Sequence, residues 1–206
     1  VTSPMPPRAT AATDRLRVVV LVSGTGSLLQ AILDAQDERY RVVKVVADKP
    51  CRGIERARER DIDTEIVEMG ADRAEWNTCL ADAVDAAQPD IVVSAGFMKI
   101  LGEGFLRRFE GRTINTHPAL LPAFKGAHGV RDALEYGVKV TGSTVHFVDA
   151  GVDTGSIIAQ RPVAVRADDD EGSLHERIKK VERELIVDVL RAAQPRGEEL
   201  FIQLAD

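Results

Sequence analysis

Cysteine is nearly missing from this 206-residue chain: only Cys51 and Cys79 occur, far apart and with no CxxC pairing. That argues against a disulfide framework or a structural zinc site, and fits reduced thiols in the cytosol. Histidine is also scarce, four residues with no HExxH or comparable cluster, so neither a metal cofactor nor a metal enzyme is expected. Positive charge is in deficit. A net charge of -6 and a pI near 5.3 lack the basic footprint that nucleic acids and anionic membranes require. No apolar run approaches a membrane span, since the longest, "VVVLV", is strand-sized. The opening "VTSPMPPRATAATDR" lacks the apolar core of a secretory signal and reads as a disordered tail over residues 1–15. A cytoplasmic protein, monomer or homodimer, is the expectation. What is present is an ordinary globular composition, 44% hydrophobic and 29% charged, enough for a core over residues 16–206.

The order of elements indicates the fold. "LRVVVLVSGTGSLLQAILDAQ" runs from an apolar strand through a glycine turn into an amphipathic helix. "RVVKVVAD" is a second strand, "GIERARERD" a helical segment and "TEIVEM" a short strand. A long helix, "DRAEWNTCLADAVDAAQ", ends at Pro89, and "DIVVSAGF" is another buried strand. Val/Ile-rich strands alternating with helices mark a mainly parallel sheet covered on both faces. The second half changes rhythm, with strands "RTINTH" and "KVTGSTVHFVD" around a helix "GVRDALEYG", then "SIIAQRPVAV" as an antiparallel return. Ser173 and Glu176 have the spacing of a capping box, and apolar residues at 174, 178, 181, 185 and 189 give the next helix one core face. "ELFIQL" reads as a short terminal strand. A single α/β domain with one Rossmann-like mixed sheet accounts for these elements.

Three stretches carry chemistry. In "SGTGSLLQ" a strand ends in Gly24, Thr25, Gly26 and Ser27 and opens a helix, gathering backbone N–H groups at a positive helix end. The pattern is neither GxGxxG nor a P-loop, so a single phosphate is a better guest than a dinucleotide or ATP. The same stretch serves equally as a plain strand-to-helix turn. In "TINTHPALLPAFKG" Asn115 and His117 close a strand before two prolines fix the loop. An amide there can donate to a developing oxyanion, and an imidazole can move a proton near neutral pH. Ligands of open α/β sheets bind at the carboxyl edge of parallel strands. In "VDAGVDTGS" Asp149 and Asp153 lie among glycines. Turn aspartates are usually only that, but a carboxylate here can orient His117 and support its charged form.

With these residues in place, the chain resembles the phosphoribosylglycinamide formyltransferases of purine synthesis, from about Arg17 to about Val189. The likeness rests on "VVVLVSGTGSLLQ", "PDIVVSAGFMKIL", "GRTINTHPALLPAFKGAHG", "GSTVHFVDAGVDTG" and the helix bearing Lys179 and Glu182, five motifs in order. The resemblance implies a formyl group passing from 10-formyltetrahydrofolate, as co-substrate, to the amine of glycinamide ribonucleotide. It implies Asn115, His117 and Asp153 as the catalytic trio and Gly24 to Ser27, with Lys179 and Glu182, on the acceptor side. It implies folate contacts from Arg73, from Met98, Lys99, Ile100 and Leu101, and from Asp149, Ala150, Gly151 and Val152. Lys99 stands where many relatives carry Arg, which keeps the charge but loses the planar fork. A formyltetrahydrofolate deformylase would carry a regulatory domain before the catalytic one, and only about fifteen residues precede the first strand here. A non-catalytic module binding a phosphoribosyl ligand would use the same cradle but tolerate loss of His117.

Overall fold

The structure is a computed structural model that describes residues 15–196 and 199–204. The expected tail lies, apart from Arg15, outside the described residues. β1 (Leu16–Val22) is apolar at every position but Arg17 and can survive only between two hydrophobic layers. The structure supplies both. Val18, Val20 and Val22 face a core completed by Leu29 and Ile32 of α1 (Ser27–Asp34) and by Leu185, Ile186 and Val189 of α6 (Glu171–Ala192). Val19 and Leu21 point the opposite way, onto Trp76, Leu80 and Val84 of α3 (Arg73–Asp85) and Phe105 and Phe109 of α4 (Glu103–Phe109). The period-two alternation of a strand thus divides the sequence between two cores.

β2 (Tyr40–Ala47), α2 (Arg52–Arg58) and β3 (Asp63–Ile66) extend the sheet on one side of β1, and β4 (Ile91–Ser94) and β5 (Thr113–His117) on the other. After α5 (Gly129–Tyr136) come β6 (Val140–Phe147) and β7 (Ile157–Ala164). The strand order is β3-β2-β1-β4-β5-β6-β7, with β1 to β5 parallel and the last two pairings antiparallel. The order reverses between β1 and β4, so the chain leaving each strand diverges and a crevice opens at their carboxyl ends. The turn after β1, the segment after β4 and the end of β5 all meet there.

Three features differ from the sequence expectation. α4 is absent from the sequence expectation; it is about two turns long, its Phe105, Leu106 and Phe109 buried beneath α3, too short for a periodic signal. The capping box of α6 begins earlier than expected. Asp170 is the N-cap and accepts from Ser173 N at 2.7 Å, while Ser173 Oγ takes the reciprocal bond from Asp170 N. Ser173 is therefore the third helical residue, and Glu176 is left to pair with Lys179 Nζ at 2.9 Å. The terminal strand β9 (Glu199–Ile202) pairs with β8 (Ala193–Arg196) as a separate two-stranded ribbon, because α6 runs straight into β8 and leaves the chain at the helix side of the sheet.

Candidate active site

Strand alternation sends Asn115 and His117 of β5 to the same face, toward a cavity of about 300 Å³. Its floor is polar: Asn115, His117, His146 and Asp153. Its rim is apolar and unusually bare, with Met98 76%, Ile100 57% and Val152 53% exposed. Lys99, Leu101, Asp149 and Gly151 also line it. A flat ligand with one polar edge suits such walls, since apolar surface buries the rings while the floor reads the edge.

His117 is almost enclosed, 4% exposed, and both ring nitrogens face acceptors. Nε2 lies 2.7 Å from the Phe124 carbonyl oxygen and Nδ1 3.4 Å from Asp153 Oδ2. A neutral imidazole has a single N–H and leaves one acceptor facing a lone pair; the imidazolium donates to both. The two partners are themselves held in uncommon conformations. Phe124 and Asp153 have φ of 53° and 52°, a left-handed region that non-glycine residues enter at a cost. Gly126 N donates to Asp153 Oδ2 at 2.8 Å, tying the loop after β5 to the loop after β6. Phe124 rests edge-on against Tyr136 of α5, 5.9 Å between ring centroids.

The segment 98–101 is anchored from three sides. Ser23, at the end of β1, accepts from Met98 N at 2.8 Å; Asn77 accepts from Gly102 N at 2.6 Å; Arg73 donates to the Ile100 carbonyl at 3.0 Å. Arg73 therefore stands behind this segment rather than in the cavity wall. Lys99 Nζ reaches buried Asp48, 3.9 Å away, at the end of β2. Ala150 belongs to the same exposed loop as Asp149, whose Oδ1 accepts from Gly151 N and Thr154 Oγ1, but is not in the cavity lining.

The turn of residues 24–27 forms a separate feature beside this cavity. Gly26 is the N-cap of α1 with φ 69°, and a Cβ there would lie 2.7 Å from Gly53 Cα. Glycine is thus required twice over, by conformation and by the close approach of α2. Gly53 N also donates to the Gly24 carbonyl at 3.0 Å. Arg56 holds the turn from outside, donating through Nε to the Thr25 carbonyl at 2.8 Å and through Nη1 to Gln30 at 2.9 Å. A guanidinium beside exposed Gly24 and Thr25 adds positive charge to a helix end that already favours anions.

Glu182 and Lys179 of α6 also lie outside the cavity lining. Glu182 is partly exposed, and burial pushes its carboxyl above the ordinary carboxylate range, a shift partly offset by a hydrogen bond with Thr116 and by Arg183, Lys179 and His117. Glu182 therefore sits against the strand that carries Asn115 and His117, within electrostatic reach of the imidazole. The structure brings together the trio and most of the folate-side residues, and sets the turn and α6 residues around them. Sequence reasoning missed His146, Ser23, Asn77 and Arg56. His146 was within reach as a histidine on a strand; the others act through backbone contacts that only the fold creates.

The chain belongs to the formyl transferase family, whose family model matches residues 16–190. It is 55% identical over 197 residues to phosphoribosylglycinamide formyltransferase of Mycobacterium tuberculosis, covering 94% of this chain and 89% of that protein. Among solved structures it is similar to glycinamide ribonucleotide transformylase 1 from Symbiobacterium toebii, with a TM-score of 0.85, 36% identity and coverage of 93% of this chain and 99% of that one. Phosphoribosylglycinamide formyltransferase from Streptococcus pneumoniae gives a TM-score of 0.80 at 36% identity, covering 86% of this chain and 98% of that one. Among the described residues no helix is long and apolar enough to cross a membrane, and no group of His, Cys, Asp and Glu could hold a metal ion.

Proposed function

We propose that the chain transfers the formyl group of 10-formyltetrahydrofolate to the primary amine of 5'-phosphoribosylglycinamide, yielding the N-formyl product and tetrahydrofolate in de novo purine biosynthesis. The observation that carries this reading is His117 held between the Phe124 carbonyl and Asp153, beside Asn115, on the floor of an apolar-rimmed cavity. The folate-side residues Met98, Lys99, Ile100, Leu101, Asp149, Gly151 and Val152 supply the walls. Gly24, Thr25, Gly26 and Ser27 receive the acceptor's phosphate, and Lys179 and Glu182 its polar end.

In this reading the acceptor nitrogen forms a bond to the formyl carbon and negative charge grows on the formyl oxygen. Asn115 donates an N–H to that oxygen and the His117 imidazolium, its N–H groups held by Phe124 and Asp153, stabilises it by its charge; being fixed beforehand, they need no reorganisation as the charge develops. The bond from the formyl carbon to the folate nitrogen then breaks. A proton from the attacking nitrogen leaves, and one reaches the departing nitrogen, with His117 and Asp153 carrying the traffic. Alignment of two substrates in one crevice makes the transfer direct. A spectrophotometric assay with the formyl folate, run with and without the ribonucleotide, tests it. Absorbance of the deformylated folate should rise only with the acceptor present; a rise without it indicates a deformylase, and no rise with binding retained indicates a binding module.

Glu182 gives a pH-dependent expectation with a definite sign. A carboxylate whose folded pKa is raised above the ordinary 4.5 destabilises the fold once ionised, so its neutral state is the favourable one. Glu182→Gln should therefore melt higher than the parent at neutral pH. The gain should shrink as pH falls below the raised value and vanish below 4.5, where both side chains are neutral. The same variant loses the charge that holds the acceptor's ammonium or hydroxyl groups, a hydrogen bond worth about 1.5–3 kcal/mol, so acceptor KM should rise by about ten- to a hundredfold. Melting curves from pH 4 to about 8 and initial rates read the two effects separately.

A further inference from the structure

His146 has no part in the chemistry above, although at 2% exposed it is more enclosed than His117 and lies directly across the sheet from Asn115. Its Nδ1 is 2.8 Å from the Phe147 carbonyl oxygen, which can only accept, so Nδ1 carries the hydrogen. Burial lowers the imidazole's pKa below its ordinary value and so favours the neutral ring. Nε2 is then a bare lone pair. It lies 3.4 Å from Asn115 Nδ2 and 3.6 Å from Asp153 Oδ1, and of those two only the amide nitrogen can donate to it.

The ends of a carboxamide are nearly equal in size, so packing alone does not decide which way Asn115 faces. Electrostatics does. With the amide turned over, its oxygen would meet the His146 lone pair beside the Asp153 carboxylate, three acceptors with no hydrogen among them. In the observed orientation one N–H is taken up by His146 and the second is left for the cavity. We infer that His146 is a positioning residue: through Nε2 it fixes the Asn115 amide with its nitrogen inward and so aims an N–H at the oxygen that becomes negative during transfer. This rests on the oxyanion role given to Asn115 above.

The test is a double-mutant cycle on the full chain, with circular dichroism and melting on every variant. Asn115→Ala removes an oxyanion donor and should lower kcat by about 10²–10³. His146→Ala should lower kcat by about ten- to a hundredfold and leave both KM values within a few-fold, because the amide stays in place but is no longer aimed. In the Asn115→Ala background the His146 change should cost nothing further, since the residue it acts through is gone. His146→Gln, which offers an acceptor oxygen and folds with less loss of volume, should recover part of the rate, and it supplies the same cycle if the alanine variant does not fold. Losses that multiply in the double variant overturn the inference while leaving Asn115 its role. Unchanged turnover in Asn115→Ala overturns both. Nitrogen-15 NMR of labelled histidine gives a readout without activity: Nδ1 protonated and Nε2 bare is expected, and the opposite tautomer contradicts the mechanism of aiming.

Discussion

Replacing His117 by alanine lowers kcat by about 10² to 10⁴, the usual share of a general acid or base, while the protein still folds. In the proposed mechanism the imidazole supplies charge beside the developing oxyanion and carries protons, and its two ring nitrogens are held by Phe124 and Asp153. Loss of the ring leaves the Phe124 carbonyl without its donor, which costs about 1–3 kcal/mol of stability and is visible as a lower melting temperature. In the proposed reading neither substrate takes its main contacts from the ring, so both KM values should change little. Circular dichroism, melting and steady-state rates on one preparation decide the matter. Turnover close to the parent in a folded variant removes His117 from the reaction.

The second large effect concerns the turn after β1. A carboxylate placed there should repel the acceptor's phosphate, but the choice of position matters. At Gly26 a side chain meets Gly53 Cα at 2.7 Å on a left-handed backbone, and any loss of binding would be confounded with damage to the fold. At Gly24 an added Cβ has no neighbour within 4 Å, and the residue is exposed. Gly24→Asp therefore folds normally. Two charges about 4 Å apart interact by about 4 kcal/mol at an effective dielectric near 20, and exposure to solvent reduces that to a few kcal/mol at most. Acceptor KM should rise by about ten- to a hundredfold, with kcat at saturation little changed. Calorimetry with a non-reactive folate analogue should show the same affinity as the parent, because residues 98–101 and 149–153 lie elsewhere in the crevice. A variant that loses folate affinity and keeps its acceptor KM reverses the two ends of the cleft.

What could be read in the sequence was local. "LRVVVLV" is apolar at every position but its arginine, and only a strand covered on both faces uses such a run; the structure covers it with α1 and α6 on one side and α3 and α4 on the other. Gly24 to Ser27 stand between a strand and a helix that each announce themselves, and Asn115 and His117 share a face by alternation alone. What escaped depends on contacts between distant segments. His146 stands opposite Asn115 only because β5 and β6 pair in one register, and no spacing within either strand encodes that register. The need for glycine at position 26 comes from Gly53, and Arg56 reaches the turn from the next helix. The spacing of Ser173 and Glu176 suggests a capping box three residues later than the real one because Ser173 suits both the cap and the third helical position; Asp170, with its stronger acceptor, takes the cap.

The central claim is that one crevice aligns two substrates so that the formyl group passes directly from one to the other. The most direct measurement is mass spectrometry of the products after turnover of carbon-13 formyl-labelled folate with unlabelled formate present in excess. The account predicts that every formylated acceptor molecule carries the label and that none appears in formate. Label released as formate, or acceptor formylated from the unlabelled pool, would contradict it.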